Sequence, residues 1–156
     1  MTTDATGGQR VTLQDMQVVG VRRTFTHATR SDIPKMWGEV LPELFALTNN
    51  EPCETFGICV ESHNEGAFDY LVCIPASRVD ASRSHTLELL DLPSATYARF
   101  THSGRFSELP PFIQWAWSAG VADLGWEIRH SGLGIEHYPA NWSPEHGPTY
   151  ILIPLM

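Results

Sequence analysis

Gly134-Ile135-Glu136-His137-Tyr138, followed a loop later by Thr149-Tyr150-Ile151-Leu152-Ile153-Pro154-Leu155, decides how this chain is read. Each segment is apolar, rich in β-branched and aromatic residues, and bounded by Gly or Pro, so each predicts a strand. Together they predict a closing hairpin. Strict alternation puts Gly134, Glu136 and Tyr138 on one face and Ile135 and His137 on the other. A carboxylate and a phenol thus share a face with a glycine that leaves room beside them. The plain expectation for a strand carboxylate is contact with water. The alternative is a negative group at the bottom of an aromatic hollow.

Working outward, residues 1–14 are expected as a flexible tail and 15–156 as one domain. A strand is predicted from Met16 to Thr26. Ser31 or Asp32 then caps a helix with Pro34 in its first turn. Ile33, Met36, Trp37, Val40, Leu41, Leu44 and Phe45 form its apolar stripe, and Pro42 predicts a kink or an early end. Strands follow at Thr55–Val60 and Phe68–Ile74, joined by a turn at Ser62–Gly66, and a short strand at Thr86–Leu90.

The pattern then repeats: a strand at Ala95–His102, a proline-led helix capped by Ser107 and ended by Gly120, a connector from Val121 to Ser131, and the hairpin. Phe25-Thr26-His27 echoes Phe100-Thr101-His102. The helix around Trp37 echoes the one around Trp117, and Phe68–Pro75 echoes Pro148–Pro154. These echoes predict a duplicated β-α-β-β unit, about 15–77 and 86–156. The fold class is α+β, with one antiparallel sheet, both helices on one side, pseudo-twofold symmetry and a cleft between the halves.

Bulk properties exclude several functions. The 156 residues carry 10 Lys and Arg against 18 Asp and Glu, a net charge of −8. No basic footprint for nucleic acid is present, whereas a negative surface suits a cation. The N-terminal residues have no apolar run like that of a secretory signal, and no stretch is long enough to span a membrane. Cys53, Cys59 and Cys73 lack CxxC spacing and read as plain buried thiols in a reducing cytoplasm. His130, His137 and His146 have no zinc-ligand spacing, and no phosphate loop or nucleophile elbow occurs. No metal or other cofactor is expected.

Tyr97–Gly104, Gly134–Tyr138 and Tyr150–Pro154, with Thr55–Ile58 and Phe68–Val72 in the first half, resemble the GyrI-like domain, the effector-binding domain of AraC- and MerR-type regulators and of stand-alone proteins. The resemblance runs from about Met16 to the C-terminus. It implies the duplicated fold and a hydrophobic cleft walled by aromatic side chains, with one acidic residue meeting cationic or polar ligands. By motif that residue is Glu136, with Tyr138 beside it and Trp117, or Trp115 in another register, on the second helix. Family regulators fuse the domain to a helix-turn-helix reader. About fifteen residues before the first strand are too few for one, so direct nucleic-acid binding is not expected.

The candidate ligand-binding residues are Glu136, Tyr138, Trp117, Trp37, Tyr70 and Phe56. His27 and His102 are expected at equivalent strand ends, in surface or turn roles. The leading expectation is a stand-alone binder of amphipathic, cationic or aromatic small molecules, with a homodimer or a separate regulator protein as its partner. Another is a hydrolase of electrophilic small molecules, with Glu136 as general base, Tyr138 as proton donor and Glu61 or Asp69 as second acid. A third is an acidic protein-interaction module such as a gyrase modulator.

Overall fold

The computed structural model describes residues 8–61, 66–80 and 87–156, with the Glu61 side chain outside that description. The expected turn at Ser62–Glu65 and the start of the Thr86 strand lie outside the described residues. Eight strands form one antiparallel sheet: β1 (Gln9–Leu13), β2 (Met16–Thr26), β3 (Thr55–Glu61), β4 (Ala67–Pro75), β5 (Glu88–Leu92), β6 (Ala95–His102), β7 (Gly134–Tyr138) and β8 (Thr149–Pro154). Their order is β1-β6-β8-β7-β3-β4-β2-β5. Helix α1 (Ile33–Leu47) joins β2 to β3, and α2 (Leu109–Trp115) follows β6.

The duplication is visible in the positions of the elements. β1 starts at Gln9 and β5 at Glu88, β2 at Met16 and β6 at Ala95, β3 at Thr55 and β7 at Gly134, each pair 79 residues apart. β4 and β8 end on Pro75 and Pro154, at the same offset. The two central strands pair across the pseudo-twofold, Gly57 opposite Glu136. β1 and β2 are joined by only Gln14 and Asp15, yet stand near opposite ends of the order, so the sheet must curl. Its inner face closes on Val18, Ile58, Leu71, Tyr97, Ile135 and Leu152.

Both helices lie on the other face. Met36, Val40 and Leu44 of α1 pack on Val19, Tyr70, Val72 and Ile74. Leu109 of α2, with Ala116 and Val121 just beyond it, packs on Ala98, Phe100, Ile151 and Ile153. β3 and β7 run between the two helices and form the floor of the cleft.

Four local expectations are corrected. Residues 9–13 are not a free tail but the edge strand β1. Val11 and Leu13 alternate toward the inner core, and Arg99 of β6 donates to Gln9 Oε1 at 2.6 Å. Pro42 does not end α1, because the buried residues Leu44 and Leu47 carry the apolar stripe past an exposed proline. Gly120 does not end the second helix. The backbone passes through a π-helical turn, Ala116–Gly120, and continues to Asp123. Finally, Trp37 is the fifth residue of α1, and the fifth of α2 is Ile113. Trp117 therefore sits one turn later, in the π-helical segment, and is not the mate of Trp37.

Candidate functional site

One row of paired residues crosses the helix-facing side of the sheet: Val21, Val72, Gly57, Glu136, Ile151 and Phe100. Glu136 is the only ionisable member of the row, and it stands at mid-sheet. Its neighbours explain how it survives there. Tyr70 Oη donates to Glu136 Oε1 at 2.9 Å, and Tyr138 Oη donates to the same oxygen at 2.7 Å. Trp37 Nε1 donates in turn to Tyr70 Oη at 3.0 Å. The two phenols are almost wholly buried, at 1% and 6% exposure, so their hydroxyls have no water to turn to. Among the described residues, no side chain donates to Glu136 Oε2.

The geometry depends on a missing side chain. A Cβ at Gly57 would stand 2.0 Å from Tyr70 Oη and 3.1 Å from Glu136 Oε1. Only glycine lets the tyrosine of one half reach the carboxylate of the other. Gly134 does the same for Trp117, whose ring would lie 2.8 Å from a Cβ placed there. Trp117 thus lies over the floor two residues from Glu136.

Electrostatics follow from burial. It pushes the Glu136 carboxyl above the ordinary glutamate value, and the two tyrosine hydrogen bonds pull it part of the way back. Burial first, and then the Glu136 charge, raises both tyrosines well above their usual range. Cys59, also on the floor, is pushed up to about 12 by burial and by the same carboxylate. The hydroxyls therefore stay protonated as donors, and the thiol stays neutral. The site holds one carboxylate, two phenols and aromatic carbon.

Of the six candidate residues, Glu136, Tyr138, Tyr70 and Trp37 form one hydrogen-bonded group, and Trp117 borders it. Phe56 is not there. It faces the inner core and stacks on His137 at 4.7 Å, because pairing with Cys73 and His137 fixes it on their face. Asp69 is likewise on that opposite face, held by Arg22 at 3.2 Å and Thr24 at 2.7 Å, so it is no second acid for Glu136. Glu61 ends β3 with its backbone paired to Phe68. His137 points away, as alternation requires, toward Glu54 at 3.2 Å. His102 packs on Phe112, while His27, His130 and His146 are exposed. Among the described residues, no group of three His, Cys, Asp or Glu side chains could hold a metal ion.

Beyond Trp37 and Tyr138 a cavity of about 490 Å³ opens. Leu41 and Phe45 of α1, Cys53 ahead of β3, and Phe106 and Trp142 are among its walls, with Asn50, Glu51 and Thr55 adding polar groups. Trp142 packs edge-on against Tyr138, ring centres 5.3 Å apart. Sequence reasoning missed Trp142 and Phe106. Trp142 lies in an irregular segment and Phe106 opens a three-residue 3-10 turn, and neither has the periodicity that assigns a face, although an aromatic next to the Pro139 turn was the available signal for Trp142.

A model of the GyrI-like small molecule binding domain matches residues 9–156. The chain belongs to the GyrI-like family. Among solved structures, SAV2435 bound to tetraphenylphosphonium superposes with a TM-score of 0.72 at 18% identity, over 96% of this chain and 93% of that one. The C-terminal domain of EcmrR gives 0.63 at 10% identity, over 97% and 98%. A hydrolase from Listeria innocua gives 0.53 at 10% identity, over 97% and 92%. At these identities the likeness establishes the fold. Among proteins with curated descriptions, none matches the chain in sequence. No helix of this GyrI-like domain, among the described residues, is long and apolar enough to cross a membrane.

Proposed function

We propose that this GyrI-like domain binds amphipathic organic cations in the cleft between its halves, with Glu136 as the counter-charge. The observation that carries the reading is the asymmetry of that carboxylate. Oε1 takes both tyrosine hydroxyls, while Oε2 has no donor among the described residues. A half-buried carboxylate with an uncommitted oxygen is costly when the site is empty, and a cation recovers part of that cost. Trp37, Tyr138 and Trp117 supply aromatic surface, worth about 0.5–2 kcal/mol for each ring face a cation meets. That a structural neighbour holds a tetraphenyl cation agrees with this chemistry.

A hydrolase using Glu136 and Tyr138 finds less support. The Tyr138 proton is directed at Glu136 rather than toward open space, and Asp69 faces the other side of the sheet. The test is tryptophan fluorescence titrated with tetraphenylphosphonium, on wild type and on Glu136→Gln. Saturable quenching that weakens at least about tenfold in the variant, a loss of about 1.4 kcal/mol, is the expected result. Equal affinity in both proteins would remove Glu136 from the binding site.

A further inference from the structure

The end of the second helix builds a cavity of its own. The helix widens into the π-helical turn Ala116–Gly120, a local form found often at functional sites, and stops at Asp123. A glycine motif closes it: Gly125, at φ 77°, donates to Ala122 O at 2.9 Å, and Trp126 N donates to Val121 O at 3.3 Å. That turn sends Trp126 back alongside the helix. The connector is then fixed to the chain end, with Ile128 paired to Leu155 and Met156 N donating to Glu127 O at 3.0 Å. Helix end and connector together enclose about 350 Å³, walled by Trp117, Val121, Trp126 and Ile128. Ser118, Ala122, Glu127 and His130 form an exposed rim. These walls share no residue with the Trp37–Tyr138 cavity and do not include Glu136.

The two indoles here differ from the other three. Trp37, Trp115 and Trp142 each engage another aromatic ring, whereas Trp117 and Trp126 engage none among the described residues. Trp117 touches the cleft floor at Gly134 with the edge of its six-membered ring. Both indoles are half-buried against the core under the second helix, so they are held in place with ring face to spare. Free indole faces attract cations. The charges agree: Glu127 has no ion-pair partner among the described residues, and neither Lys nor Arg is among the walls. Hydrogen-bond acceptors are few: one exposed carboxylate, one imidazole, and a Ser118 hydroxyl that donates back to Gln114 O at 2.8 Å. A primary ammonium would leave N–H groups unsatisfied, and a metal ion would lack its shell of oxygens. A quaternary ammonium has no N–H and presents charged methyl groups to the rings.

We propose that this cavity is a site for a compact quaternary ammonium group, such as that of choline, held by the faces of Trp117 and Trp126 with Glu127 at the rim as counter-charge. It takes a smaller, aliphatic cation than the cleft does and works without Glu136, so either site can fail alone. The test reads the indole N–H resonance of Trp126, identified by its absence in Trp126→Phe. Choline is titrated beside 3,3-dimethyl-1-butanol, its uncharged isostere with carbon in place of nitrogen. Choline should move the Trp126 resonance saturably, and the isostere should bind at least about fivefold more weakly. Glu127→Gln, a change to an exposed side chain, should weaken choline by about two- to fivefold. Glu136→Gln should leave the Trp126 response unchanged. The comparison of choline with its isostere needs no variant, so it decides even where a variant fails to fold. No saturable movement of Trp126 overturns the proposal, as do equal affinities for choline and the isostere, wild-type affinity in Glu127→Gln, or loss of the Trp126 response in folded Glu136→Gln.

Discussion

Gly57→Ala is the sharpest perturbation of the site, because it adds one methyl group and no charge. That methyl would lie 2.0 Å from Tyr70 Oη and 2.7 Å from its Cζ. The tyrosine cannot yield easily, being 1% exposed and packed against Phe25 and Trp37. Overpacking of this kind costs about 1–3 kcal/mol. Displacing the hydroxyl also breaks the hydrogen bonds to Glu136 and from Trp37, at about 0.5–1.5 kcal/mol each. Against this, replacing a strand glycine returns about 0.5–1 kcal/mol of chain entropy. The net expectation is a destabilisation of about 3 kcal/mol, or a drop in Tm of roughly 6–12 °C for a chain of this size. Urea unfolding and a thermal scan measure it directly. The cause is isolated by repeating Gly57→Ala in a Tyr70→Phe background, where the closest clash is gone and the increment should shrink by about 1–2 kcal/mol. A Gly57→Ala cost below about 1 kcal/mol would refute the reasoning, as would increments that add within about 0.5 kcal/mol.

Other expectations concern protons and thiols. Since burial raises the Glu136 carboxyl, affinity for tetraphenylphosphonium should be full at about pH 8 and fall as pH drops through that raised value, with a flat profile in Glu136→Gln. For stability the sign is the reverse: the folded state holds this proton more tightly than the unfolded chain, so the contribution of Glu136 is most favourable at low pH and is lost as pH rises through its folded value. Tyr138→Phe removes a donor that holds the carboxyl down, so the midpoint of the binding profile should move to higher pH in the same titration. All three cysteines have thiols raised by burial, so Ellman's reagent at about pH 8 should react slowly with native protein and promptly with 3 thiols after denaturation.

The duplicated unit was legible because each half repeats the same punctuation, a proline-led helix between strands and a terminal Ile-Pro, at Ile74-Pro75 and Ile153-Pro154. That Glu136 and Tyr138 share a face was legible because residues two apart on a strand point the same way. Phe56 was not, because β3 is buried on both faces: Thr55 is 7% exposed, Phe56 4% and Ile58 0%. A strand covered on both sides carries no in–out pattern, and only its pairing partners fix its faces. The alignment of Trp37 with Trp117 failed for a related reason. The likeness of residue types hid a helix that starts at Leu109 and a π-helical turn that no propensity marks. Gly57 was quoted as part of a strand, but its use, admitting a phenol from the neighbouring strand, exists only in three dimensions.

The crossed links at Gln14-Asp15 and Pro93-Ser94 have a consequence for how the molecule can come apart. β1 leaves the half it begins and borders β6 of the other, and β5 does the reverse along β2. The arrangement is that of a strand-exchanged dimer written into one polypeptide. Severing the chain between the repeats would leave two fragments, each holding an edge that belongs to its sister and missing one of its own. Such fragments have every reason to recombine and little to stand alone.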